Sequence, residues 1–169
     1  MSNPEGNFTM TIIVGTDTNQ TVAEVDAYWS SRGNLNWATL GVIDKEVNLR
    51  KAADYLERNF RWRGTRKTAS QRLGWPRDQA FDNDDFAIGE SVSPLIVKEA
   101  EAIVADLIRE GIVDISGIVT SGSAAITKEK VDVIEVQYDA KSRLRGADVI
   151  SHVHLMLIPV TLGPTLLRA

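Results

Sequence analysis

Four tryptophans, Trp29, Trp37, Trp62 and Trp75, fall within one third of this 169-residue chain, and Arg61, Arg63, Arg66 and Arg77 stand among them. Indoles interleaved with guanidiniums suit the holding of single-stranded nucleic acid, in which bases stack on aromatic faces and cations hold phosphates. The segment Arg50–Arg77 carries nine of the nineteen Lys and Arg residues but only Asp54 and Glu57 as acids, a local charge of +7. The remainder sets ten basic against twenty-one acidic residues, −11. Such asymmetry points to an anionic partner or a charged assembly interface. The same residues also have a structural use, which is the one expected. Trp29 lies on an apolar helical stripe, and Trp75, between Gly74 and Pro76, suits the plug at the end of a helix bundle. Arg63 and Arg77 then pack over indole faces or cap helix carboxyl ends.

Other reactive types are sparse. His152 and His154 would chelate a metal from a strand, but on a helix they diverge by roughly 200°; a helix is expected there, and no cysteine exists to complete a zinc site. Asp82-Asn83-Asp84-Asp85 has the start of a calcium loop. An EF-hand needs a further oxygen ligand, a turn glycine and a closing glutamate where this chain has Phe86, Ala87 and Ser93. No G-x-S-x-G, H-E-x-x-H or P-loop pattern occurs. The expectation is a non-enzyme with no catalytic residue, cofactor or metal.

Composition sets the frame for these residues. Hydrophobic content of 43% and charged content of 25% are those of a globular protein of one domain. A net charge of −4 is not the footprint of a generic nucleic-acid binder. No apolar run reaches the roughly 18–20 residues of a membrane span, and the N-terminus lacks a basic region followed by an apolar core, so a product made in the cytoplasm is expected.

The expected fold is mainly α (α+β): a small helical bundle with a β-hairpin and extended N- and C-terminal arms. Residues 1–20 form the N-terminal arm or strand, with Phe8–Val14 as a short strand or extended arm, and residues 21–158 form the single domain. Thr21 and Glu24 make a capping box for a helix to about Arg32, with Val22, Val25 and Trp29 on one face and Gly33-Asn34 as its stop. A turn follows at Trp37–Leu40. Asp44 caps a second helix, 44–60, whose buried stripe is Leu49, Ala52, Ala53, Leu56 and Phe60. On its other face Arg50–Asp54, Asp54–Arg58 and Glu57–Arg61 are i,i+4 pairs of opposite charge. Thr68 and Gln71 make a second capping box for one helical turn, ended by Gly74 and Pro76. Residues 77–92 are an acidic loop. Ser93 caps and Pro94 begins a helix to about Glu110 that buries Ile96, Ala100, Ile103, Val104 and Leu107. After the Gly/Ser-rich stretch 116–123, a hairpin spans about 125–139. Residues 147–158 are helical, and residues 159–169 form a tail that is mobile from Thr161.

Tyr28-Trp29, Arg32-Gly33-Asn34, Trp37, Ala53-Asp54-Tyr55-Leu56, Trp62-Arg63-Gly64, Trp75-Pro76-Arg77 and Pro94 resemble a family of small tailed-phage proteins. That family carries the label "putative DnaT-like single-stranded DNA-binding protein". The match is good over residues 20–110 and loose over 118–140, and Asp132 stands where the family tends to place glycine. The resemblance implies a head-to-tail connector (adaptor) of the virion neck, which lines the DNA channel as a homo-oligomeric ring of about twelve subunits. Its partners would be the portal, a tail-completion or tail-tube protein, and DNA passing without sequence-specific contact. The label implies the alternative, a single-stranded DNA-binding or replication-associated protein. In the connector reading Trp62, Trp75 and Arg77 are structural marks. Arg63, Arg66, Lys67 and Arg72, which lack obvious local acids, would meet Asp82, Asp84 and Asp85 of the next copy.

Overall fold

The protein is mainly α, with one small antiparallel β pair. The computed structural model describes residues 11–113 and 150–162; the expected hairpin at 125–139 lies outside them. Helix α1, Val22–Ser31, starts where the capping box places it: Thr21 Oγ1 accepts from the Glu24 amide at 3.2 Å, and Glu24 Oε2 accepts from the Thr21 amide at 2.7 Å. Gly33, at φ +68°, reverses the chain. Asn34 both ends α1 and opens a four-residue helix: its amide donates to Trp29 O at 3.1 Å, as the expected stop requires, and its Oδ1 accepts from the Trp37 amide at 3.1 Å and opens α2, Leu35–Ala38.

Helix α3, Val42–Asn59, begins at Gly41, ahead of Asp44, which lies instead in the first turn. A carboxylate there is stabilised by the positive helix end without acting as the cap. The expected stripe Leu49, Ala52, Ala53, Leu56 and Phe60 is buried. Helix α4, Leu95–Arg109, packs along α3 and forms the centre of the core with it. Its buried face is rotated from the expected one: Val97, Glu101, Ala102 and Ala105 join Ala100, Val104 and Leu107, while Ile96 and Ile103 are half-buried. Ser93 does not cap this helix. Its hydroxyl donates to Asn19 Oδ1 at 2.8 Å, and Pro94 holds the cap position.

Both expected arms have ends that belong to the packed body. Thr18, Asn19 and Gln20 are buried, and Asn19 hydrogen-bonds Glu101 of α4. In the described part of the N-terminal segment, Val14 bridges only to Thr18, around a turn closed by Ile13 O, so no strand forms over 11–14. Residues 150–157 are helical (α5) and a 3₁₀ turn, Ile158–Val160, follows. Val160 and Thr161 are buried, with the Arg63 amide donating to Val160 O at 3.0 Å and the Leu162 amide to Arg61 O at 2.7 Å. Val160 and Thr161 therefore belong to the packed body rather than to a tail.

The short helix expected from Thr68 is absent; residues 67–76 form turns. The Gln71 side chain, instead of reaching back to the Thr68 amide, donates to Leu73 O at 2.8 Å and Pro76 O at 2.9 Å. That bracket leads into β2, Arg77–Asp78, which pairs antiparallel with β1, Thr65–Arg66.

Candidate nucleic-acid interface

The tryptophans are mostly interior. Trp75 is fully buried, Trp37 and Trp62 nearly so, and Trp29 is half-buried. Trp62 meets Trp75 edge-on at 6.1 Å and stacks on Phe60 at 5.8 Å, and Phe60 meets the His154 ring at 4.6 Å. Gly74 makes this packing possible, because a Cβ there would overlap the Trp62 indole. Beside it, burial pushes the Glu57 carboxyl up; the Gly74 amide and the Trp62 indole oppose the rise. Neither Glu57 Oε1 nor Trp62 Nε1 completes a hydrogen bond. The cluster is core, as the structural reading expected, and its rings are not offered to bases.

Two of the expected basic residues are builders. Arg77 donates to the carbonyls of Arg63, Gly64 (2.6 Å) and Gly74 (3.1 Å), which locks the β1–β2 turn rather than a helix end. Arg63 donates to Thr161 O at 3.0 Å and to Asn83 Oδ1 at 2.6 Å, tying the C-terminal clasp to the loop that follows β2. Neither covers an indole, and of the two only Arg63 meets a helix end, at Thr161 O, the C-cap of the 3₁₀ turn.

Arg72 has local acids after all. It binds Asp54 at 2.9 Å and Asp17 at 3.2 Å, and Asp17 also receives Arg50 at 3.8 Å. Asp54 thus turns to Arg72 across the surface instead of pairing along α3. Glu57 turns inward, so the expected self-pairing of the helix face is largely replaced by ties to other segments.

What remains exposed, apart from the paired Arg72, is a narrower basic set: Lys51 on α3, Arg58 and Arg61 at its end, and Arg66 and Lys67 at β1. None makes an ion pair among the described residues; Arg66 donates to Gln71 O at 3.3 Å and Lys67 to Glu90 O at 3.0 Å. Arg66 stands opposite Arg77 in the two-residue ladder. Burial and the nearby Arg66 charge both lower the Arg77 pKa. Facing like charges are unfavourable unless an anion lies between them.

The acidic loop folds on itself. Asp82 Oδ1 accepts from the amides of Asp84 and Phe86, both at 2.9 Å, and Asp85 sits at φ +63°. This turn leaves Asp84 and Asp85 exposed, and it lifts Phe81 and Phe86 into solvent, 47% and 72% exposed. Sequence reasoning missed these rings because attention fell on the tryptophans; their signal is an aromatic on each side of an Asp-Asn-Asp-Asp turn.

A recess of about 300 Å³ lies between α1, α2 and the start of α3. Asp26 Oδ1 there accepts from Trp37 Nε1 at 2.8 Å and from Lys45 Nζ at 3.0 Å. Lys45 is buried on the same stripe as Leu49 and Ala52. A lysine in phase with an apolar stripe was the sequence signal for this site.

The chain belongs to the family described as "Putative DnaT-like ssDNA binding protein", which it matches over residues 9–167. That description concerns single-stranded DNA, and it overturns the expectation of a head-to-tail connector of the virion neck. No curated protein and no solved structure matches the chain.

Proposed function

We propose that this protein binds single-stranded DNA, without catalysis, through the basic edge formed by Arg58, Arg61, Arg66 and Lys67. The observation that carries the reading is that these four cations are exposed and make no ion pair among the described residues, in a chain of a family so described. Arg63, Arg72 and Arg77 of the same segment use their charges internally, and the exposed Lys51 lies two turns before Arg58 on α3. Phosphates would lie along these four exposed cations. Phe81 and Phe86, joined to this edge through Arg63, supply stacking faces for bases. The exposed Asp84 and Asp85 repel phosphates, so the strand would turn its bases rather than its backbone to that loop.

Fluorescence anisotropy with a labelled single strand and the matching duplex tests the reading. Wild type should prefer the single strand, and Arg66→Glu with Lys67→Glu should weaken it at least ~10-fold, about 1.4 kcal/mol, with the fold intact by circular dichroism. Absence of wild-type binding at low salt refutes it.

A further inference from the structure

The recess between α1, α2 and α3 is separate from the basic edge. Lys45 and Arg58 lie on one helix, about 20 Å apart along its axis. Its volume of about 300 Å³ is at the small end of ligand sites, which run roughly 300–1,000 Å³. That size suits one planar heterocycle and is too small for a folded segment.

Its chemistry is specific. Trp37, almost fully buried, closes the inner side, and the half-buried Trp29 is the indole an incoming ring would meet. Asp26 supplies an acceptor beside it. Its Oδ1 is occupied by Trp37 and Lys45, whereas Oδ2 accepts no hydrogen bond among the described residues, and the side chain is 43% exposed. Lys45 holds the carboxylate in place and offsets its charge, which would otherwise repel a phosphodiester chain. An aromatic wall with an acceptor beside it matches the face and an amino or imino edge of a nucleobase.

We propose that this recess takes a single nucleobase turned out from the bound strand, stacked at Trp29 and hydrogen-bonded at Asp26 Oδ2; the proposal rests on the single-strand reading above. Base–aromatic stacking alone is worth roughly 5- to 150-fold in affinity.

The test compares wild type with Ser30→Trp, which fills the mouth from an exposed helical position, and Asp26→Asn, which keeps an acceptor for Trp37 and replaces the free oxygen with a donor. Each is titrated with a mixed-sequence single strand, the same strand built from abasic sites, and free nucleosides. Both variants should lose roughly 5- to 150-fold on the normal strand and lose nothing on the abasic strand, and wild type should quench its tryptophan emission with free nucleosides. If both variants bind the normal strand as wild type does, the recess proposal is overturned and the single-strand reading stands. If wild type binds nucleosides but no strand, the recess stands as a nucleobase site and the single-strand reading fails. Loss by the variants on the abasic strand as well would mean a general disturbance of the fold and would also overturn the recess.

Discussion

Glu101, fully buried in α4, is held by Asn19: its Oε2 accepts from the Asn19 amide at 2.9 Å and from Nδ2 at 2.7 Å. The contact spans 82 positions and clasps the segment before α1 onto the central helix pair. Burial dominates the carboxyl and raises it from 4.5 to about 8. The Asn19 donors and Lys98 pull it down, and Glu57 adds to the rise.

A carboxyl whose folded pKa is raised binds its proton more tightly when folded. Its contribution to stability is full below about 4.5 and is lost as pH rises to about 8. The melting temperature should therefore fall between pH 5 and pH 9. Glu101→Gln, which mimics the protonated acid, should flatten that slope and melt above wild type at pH 9. Calorimetry at both pH values checks this, and an unchanged slope in the variant would remove Glu101 as its cause.

Trp75→Ala should cost roughly 3–5 kcal/mol, as large buried aromatics do when truncated. Denaturant melts measure it. In whatever fraction stays folded, affinity for a single strand should be unchanged, because the Trp75 ring is fully buried. A variant of normal stability with weakened DNA binding would reverse the assignment of Trp75 to the core.

Gly74→Ala should be nearly as disruptive for its size. The added methyl meets the Trp62 indole and the Glu57 carboxyl, both boxed in by the core. Overpacking of this kind costs about 1–3 kcal/mol. A combined Gly74→Ala, Trp62→Leu chain should recover part of that loss, and equal loss in the single and double variants would show that the clash is not the cause.

Much of this fold was legible in the sequence because period and capping are local. The Thr21/Glu24 box and the Leu49-to-Phe60 stripe depend on neighbours within a few positions. The failures share a cause: side chains that chose distant partners over near ones. Gln71 bonds carbonyls around Pro76, Ser93 goes to Asn19, and Asp54 goes to Arg72. Helical spacing favours each of the near pairings and is silent on the tertiary ones. The candidate site was legible as a basic segment but not at residue level. Whether an arginine binds a carbonyl, as Arg77 does, or faces solvent, as Arg58 does, is decided by chain reversals that no local pattern records.

The salt dependence of single-strand affinity tests the central claim most directly. Each phosphate held by a cation contributes about −0.7 to the slope of log K against log salt. Four contacts from Arg58, Arg61, Arg66 and Lys67 predict a wild-type slope near −3, which should collapse towards zero when all four become alanine, with no change in melting temperature. A wild type that binds no single strand at low salt, or a fourfold variant that keeps the wild-type slope, would contradict the account.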